Sequence, residues 1–222
     1  MKKIVLNGFL LLTAFLALNC CKKGDDDPAI SLLSRKARIC GKWKLTEMKS
    51  DIFFFNTVSS YDFNGKTITG MDDGVTISGP YSEELEIKKD GTFERVTTGT
   101  LTGQGKSIPM TGKYSGIWYF AGKNKENEIE NKECIVLSVT KSTYTVSLYD
   151  YFTDSYYLGE KSDAWRGLTA GDAIYYHIDN LENKQFTVSL DQSETISVSA
   201  SAPYSSSNSV YTEKLTATFQ KK

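Results

Sequence analysis

One histidine, His177, stands among 222 residues, which excludes a multi-histidine or Cys–His metal site built from this chain alone. An excess of either charge is also missing: 26 Lys+Arg face 27 Asp+Glu, a formal net charge of −1. Nucleic-acid binding rests on neutralising many phosphates, so DNA and RNA are set aside as partners. Four cysteines do not make a dense disulfide framework. None is needed, because about 190 residues beyond the leader can bury roughly 70% of their unfolded surface around one core. No Gly-x-Ser-x-Gly or other recognisable nucleophile motif occurs, so no catalytic residue is assigned. Asp25-Asp26-Asp27 and Asp72-Asp73-Gly74 lack the alternating acidic spacing of a calcium loop and read as a tether and a turn. No metal and no cofactor are expected. What the chain does have is 13 Tyr and 11 Phe among abundant Thr, Ser and Val, a composition suited to pleated, half-buried strands.

Only the N-terminus carries a long apolar run. Met1-Lys2-Lys3 precedes a mostly apolar stretch from Ile4 to Leu18, the layout of a secretory signal. The stretch is shorter than the roughly 20 residues that span a bilayer, and Asn7 and Thr13 interrupt it. Leu18-Asn19-Cys20-Cys21 at its end resembles the lipobox of bacterial lipoproteins, with Leu three residues before the acylated cysteine. The resemblance implies acylation at Cys21, with Cys20 as the competing register. Lys22-Lys23-Gly24-Asp25-Asp26-Asp27 is similar to the export tether of Bacteroidetes-type surface lipoproteins. The expected organisation is a signal peptide over 1–20, a lipid-anchored flexible tether over 21–37 and a β domain over 38–222. It implies a chain held at the outer membrane through its lipid and facing the cell surface, or alternatively the periplasm.

Periodicity predicts a short amphipathic helix within Ala29–Ile39, then a strand from Gly41 to Met48 with Trp43, Leu45 and Glu47 on one face. Asp90-Gly91 predicts a hairpin turn within Leu85–Glu94. Extended runs at 53–63, 75–78, 116–120, 133–140, 143–152, 173–178, 185–190, 195–200 and 214–219 bring the expectation to about ten strands with no βαβ unit. An antiparallel meander follows, closed as a barrel or folded as a two-sheet sandwich.

Gly41-Lys42-Trp43, the Lys89-Asp90-Gly91-Thr92-Phe93 turn, Gly116-Ile117-Trp118-Tyr119-Phe120 and a last strand ending at Phe219 occur in that order. Together they resemble the lipocalin-like lipoprotein domains of Bacteroidetes-type genomes. The resemblance implies an all-β, up-and-down antiparallel barrel with Trp43 closing one end. Residues 53–79 and 151–171 would then be long loops or added hairpins. On periodic strand positions, Phe93, Trp118 or Phe120, Phe186 and Phe219 are large enough to fill such a barrel.

Cleavage at Cys21 leaves Cys40 and Cys134 as an even pair that an oxidising compartment allows to form a disulfide. The competing reading makes Cys134, within Cys134-Ile135-Val136-Leu137, a reduced core residue. His177 shares a strand face with Tyr175, so it points to water if Ile178 points inward. Tyr149, Tyr151, Tyr156, Tyr157 and Trp165 form an aromatic cluster whose flat faces suit a glycan or protein partner. The functional expectation is a lipid-anchored binding protein without catalysis, taking a glycan, a protein or a small apolar molecule. An accessory subunit of an outer-membrane complex and a hydrolase with dispersed carboxylates are the alternatives.

Overall fold

A computed structural model describes residues 33–54, 57–72, 74–123, 133–145, 171–198 and 207–222. Ser34 opens helix α1 (Arg35–Ile39), its Oγ accepting from the Ala37 N–H, and extended backbone at Cys40 ends it. Ten strands follow: β1 (Gly41–Phe54), β2 (Thr57–Phe63), β3 (Thr67–Asp72), β4 (Val75–Ile87), β5 (Thr92–Gly103), β6 (Lys106–Phe120), β7 (Cys134–Thr145), β8 (Ala173–Leu181), β9 (Gln185–Val198) and β10 (Ser207–Lys221). Each pairs antiparallel with its neighbours in sequence, and β1 pairs with β10, closing the ring as a barrel.

The ring is not of even width. At its start β1 pairs directly with the end of β4, Gly41 opposite Ile87 and Lys44 opposite Glu84. Farther along β1, the hairpin β2–β3 is inserted between them, Met48 now facing Phe63 and Thr67 facing Pro80. The barrel therefore has a narrow end, where β2 and β3 are absent, and a wider end, where they add to its circumference. This is an added hairpin of the kind expected within 53–79; residues 151–170 lie outside the described ones.

Other elements depart from expectation where bulges shift the side-chain phase. Glu47 is exposed rather than in line with Trp43 and Leu45. A bulge between Leu45 and Glu47 inserts one residue, and Met48 takes the inward position. The runs 133–140 and 143–145 are one strand, β7. Ser115 pairs with Lys141 and Gly116 with Val139, so Thr140 has no opposite residue and the inward phase changes there. β9 likewise runs unbroken through polar Asp191–Glu194, which pair along β10. Between β5 and β6, Gln104 and Gly105 both have positive φ, 48° and 74°, forming a primed hairpin turn in a stretch read as no strand at all. At Asp90-Gly91 the expected hairpin is present, Gly91 having φ 90° and Asp90 Oδ1 accepting from Thr92 N–H at 2.9 Å and Thr92 Oγ1 at 2.7 Å.

The buried apolar residues form one cluster from Ile39 to Phe219, contributed by α1 and all ten strands.

Candidate functional site

Inward positions follow from the period of two along each strand, and they divide the interior into two parts. At the narrow end the interior is solid. Trp43 is fully buried, donates from Nε1 to the Ile39 carbonyl at 2.8 Å, and meets the Phe186 ring edge-on at 4.7 Å. Phe186 stacks on Phe219 at 4.8 Å, and the Lys221 ammonium lies 5.1 Å from the Trp43 ring centre. Arg38, also fully buried, donates to the Leu181 carbonyl, so α1 is tied across the barrel floor. Phe93 and Trp118 complete this filling, while Phe120 is half-buried.

Midway along the barrel the inward residues become polar, before Ile77 and Leu101 restore an apolar layer nearer the wide end. On β4 the inward series Ile87, Leu85, Glu83, Tyr81 runs from apolar to ionisable, and on β5 Phe93, Arg95, Thr97 does the same. Glu83 is 3% exposed. Its Oε1 accepts from Arg95 Nε at 2.9 Å, and its Oε2 accepts from Arg95 Nη2 at 2.8 Å and from the Tyr81 hydroxyl at 2.9 Å. The bidentate geometry is the one in which guanidinium and carboxylate hold each other most firmly. Tyr114, opposite Arg95 on β6, places its ring 5.9 Å from the guanidinium carbon, and the Phe63 ring packs edge-on to Tyr81 at 5.3 Å.

Electrostatics fix the protonation of this group. Burial raises the Tyr81 hydroxyl well above its ordinary pKa, and the neighbouring Glu83 charge raises it further. Burial is the largest influence on Arg95 and opposes its charge, but Glu83, Tyr176 and Tyr81 together outweigh it and hold the guanidinium well above its usual value. Tyr176, inward on β8, is pushed up to about 12, chiefly by burial, with Arg95 opposing and Glu83 and Glu213 adding to the rise. At neutral pH the cluster offers protonated phenols, a permanent cation and a carboxylate, a set suited to hydrogen bonding and not to proton transfer. Further polar side chains face inward in the wide half, among them Ser59, Glu213 (3% exposed) and Ser50 (1% exposed), whose Oγ has no hydrogen-bond partner.

Packing in this half is uneven: Ile52, Tyr61, Phe63, Ile68, Ile77 and Leu101 are buried, whereas other inward side chains are only partly so. The Arg95 side chain points inward yet keeps 18% of its surface exposed. Met48, Met110, Ile174 and Leu190, on inward positions of β1, β6, β8 and β9, are only partly buried against the core. The large rings expected to fill the barrel, Phe93, Trp118, Phe186 and Phe219, are buried in the narrow half, and Tyr61, Phe63 and Tyr114 are buried in the wide one.

Several residues singled out from sequence lie elsewhere. Cys21 and the aromatic cluster Tyr149, Tyr151, Tyr156, Tyr157 and Trp165 lie outside the described residues. Cys40 and Cys134 are free, buried thiols, a correction to the disulfide that the even pair allows. Cys134 is paired with His177 on the outer face of β7, whereas Cys40 links α1 to β1. Burial raises both pKa values, against the pull of Lys36, Lys89 and Lys221 on Cys40, so both favour the unreactive thiol form. His177 is half exposed beside Asp179, its Nδ1 3.1 Å from Oδ1, with Ile178 turned into the core. No group of three His, Cys, Asp or Glu among the described residues could hold a metal ion.

None of Tyr81, Glu83, Arg95 or Tyr176 was flagged by sequence as a polar cluster. The usable signal was phase: Glu83 and Arg95 stand in step with Ile87 and Phe93, so they inherit the inward direction of obvious core residues. Comparison of the chain with models of known families, with curated proteins and with solved structures finds no match.

Proposed function

We propose that this chain is a non-catalytic binding protein, anchored to the outer membrane through a lipid on Cys21, whose wide barrel half takes one small molecule. The observation that carries the reading is the inward Arg95–Glu83–Tyr81 cluster beside partly exposed apolar side chains, since ligand sites combine apolar walls with a few oriented polar groups. Glu83 and Glu213 are two inward carboxylates, as a hydrolase would require. Both oxygens of Glu83 are occupied by Arg95 and Tyr81, however, which favours recognition over acid–base chemistry. Titration of the soluble chain beginning at Lys22 with the uncharged fluorophore N-phenyl-1-naphthylamine tests the reading. Saturable one-to-one uptake that quenches tryptophan emission is expected, and absence of uptake would remove it.

A second reading, an accessory subunit docking through the outer wall, has its own observation. Tyr119 and Tyr175 flank the buried Val136 on the outside of β6, β7 and β8, and Ile117, Tyr119 and Tyr175 are 51%, 48% and 54% exposed. Tyr119→Glu with Tyr175→Glu would abolish co-purification with envelope proteins under this reading and leave it unchanged under the first.

A further inference from the structure

We infer that the Arg95–Glu83 pair is the headgroup clamp of the barrel site and selects an uncharged, hydrogen-bond-accepting group, a carbonyl, ester or hydroxyl on an amphipathic small molecule, over a carboxylate. The inference rests on the binding reading above and names its ligand class. Arg95 commits two of the five guanidinium N–H donors to Glu83, one on Nε and one on Nη2. Its remaining donors belong to a side chain that faces the interior and is 18% exposed, so they are available to a guest. Held by Glu83 and flanked by the Tyr114 ring, the guanidinium is pre-oriented, which spares an entering ligand the cost of ordering it.

The sign of the guest follows from the charges already present. Glu83 neutralises Arg95 through a bidentate pair. A carboxylate entering here would shed its hydration to meet a guanidinium whose charge Glu83 already compensates. An uncharged acceptor takes the same N–H donors without that loss. Its apolar body meets the partly buried Met48, Met110, Ile174 and Leu190.

The test compares 11-(dansylamino)undecanoic acid with its methyl ester, which share a body and differ in headgroup charge. The soluble chain from Lys22 is expected to bind the ester at least tenfold more tightly than the acid. Glu83→Gln frees the Arg95 charge while keeping the side-chain volume, and it is expected to raise acid affinity about tenfold and so erase a tenfold preference for the ester. The double variant Glu83→Leu/Arg95→Met exchanges the ion pair for apolar residues of similar size, so it keeps the fold and is expected to bind the ester about tenfold more weakly. Equal or tighter binding of the acid by the unaltered chain overturns the inference, as does a double variant that binds the ester normally. Those outcomes leave barrel uptake standing, whereas failure of the unaltered chain to take up either probe or N-phenyl-1-naphthylamine removes the binding reading itself.

Discussion

At the scale of single residues, the interior combines two kinds of burial with opposite consequences. Trp43 satisfies its one donor with the Ile39 carbonyl and otherwise contacts rings, so it contributes area and shape. Tyr176 contributes a hydroxyl whose ionisation the fold resists, its pKa standing at about 12 against roughly 10 in an unfolded chain. Because the folded value is the higher one, the fold favours the protonated phenol. The corresponding stability is complete below pH 10 and is lost as pH rises through 12. Tyr81 shifts in the same direction, so the wide half of the barrel weakens in alkali. Urea unfolding at pH 8 and pH 11 should show the unaltered chain losing about 1 kcal/mol more than Tyr176→Phe, which has no proton to release. Equal losses in the two proteins would mean that Tyr176 titrates as it does in the unfolded chain.

At the scale of elements, what was legible in the sequence was the strand count and the inward rings; what was not were bulges and polar strands. Alternation identifies β1 up to Leu45, but one inserted residue moves Glu47 out and Met48 in, and no side-chain pattern announces that insertion. The Thr- and Gly-rich stretch 97–112 carries little apolar signal because its inward positions include Thr97, Gly99, Gly103 and Gly112 beside Leu101 and Met110, yet β5 and β6 pair continuously along it. The polar cluster was hidden for a related reason: pattern reading takes Glu and Arg as outward markers, and only the phase of their neighbours contradicts it. Glycine positions show how tightly these strands approach. A Cβ on Gly116 would lie 1.9 Å from the Ser138 carbonyl oxygen and 2.9 Å from the Phe93 ring, next to the β6–β7 bulge. Backbone cannot yield there without opening the pairing, so Gly116→Ala should cost about 2–4 kcal/mol in chemical denaturation. Gly105→Ala, where nothing lies within 4 Å and only the positive φ resists, should cost about 1–2 kcal/mol. A smaller loss at Gly116 than at Gly105 would show that the bulge can be redrawn.

At the scale of the whole molecule, the barrel has a direction. Leu33, α1 and the start of β1 stand at the narrow end, together with the Asp90-Gly91 turn and the end of β10, whereas the Gln104-Gly105 turn stands at the wide end. If Cys21 carries the lipid, the chain from Lys22 to Leu33 joins membrane to barrel, and twelve residues reach at most about 40 Å. Tethering at the narrow end brings the solid floor of Trp43, Phe186, Phe219 and Arg38 toward the bilayer and turns the half that holds the Arg95–Glu83 pair away from it. A mouth so directed meets molecules arriving from the aqueous side, which agrees with an amphipathic guest of uncharged headgroup and disagrees with direct extraction of membrane lipid. Single cysteines replacing Lys89 and Gln104, in a background with Cys40 and Cys134 changed to Ser and Ala, place a fluorophore at either end of the barrel. With the lipidated chain in vesicles containing headgroup-labelled quencher lipid, the label at position 89 should be quenched more strongly than the label at position 104. Stronger quenching at position 104 would reverse the orientation and put the binding half against the membrane. Loss of all quenching in Cys21→Ala, with Cys20 intact, would place the anchor at Cys21, whereas unchanged quenching would move it to the neighbouring cysteine.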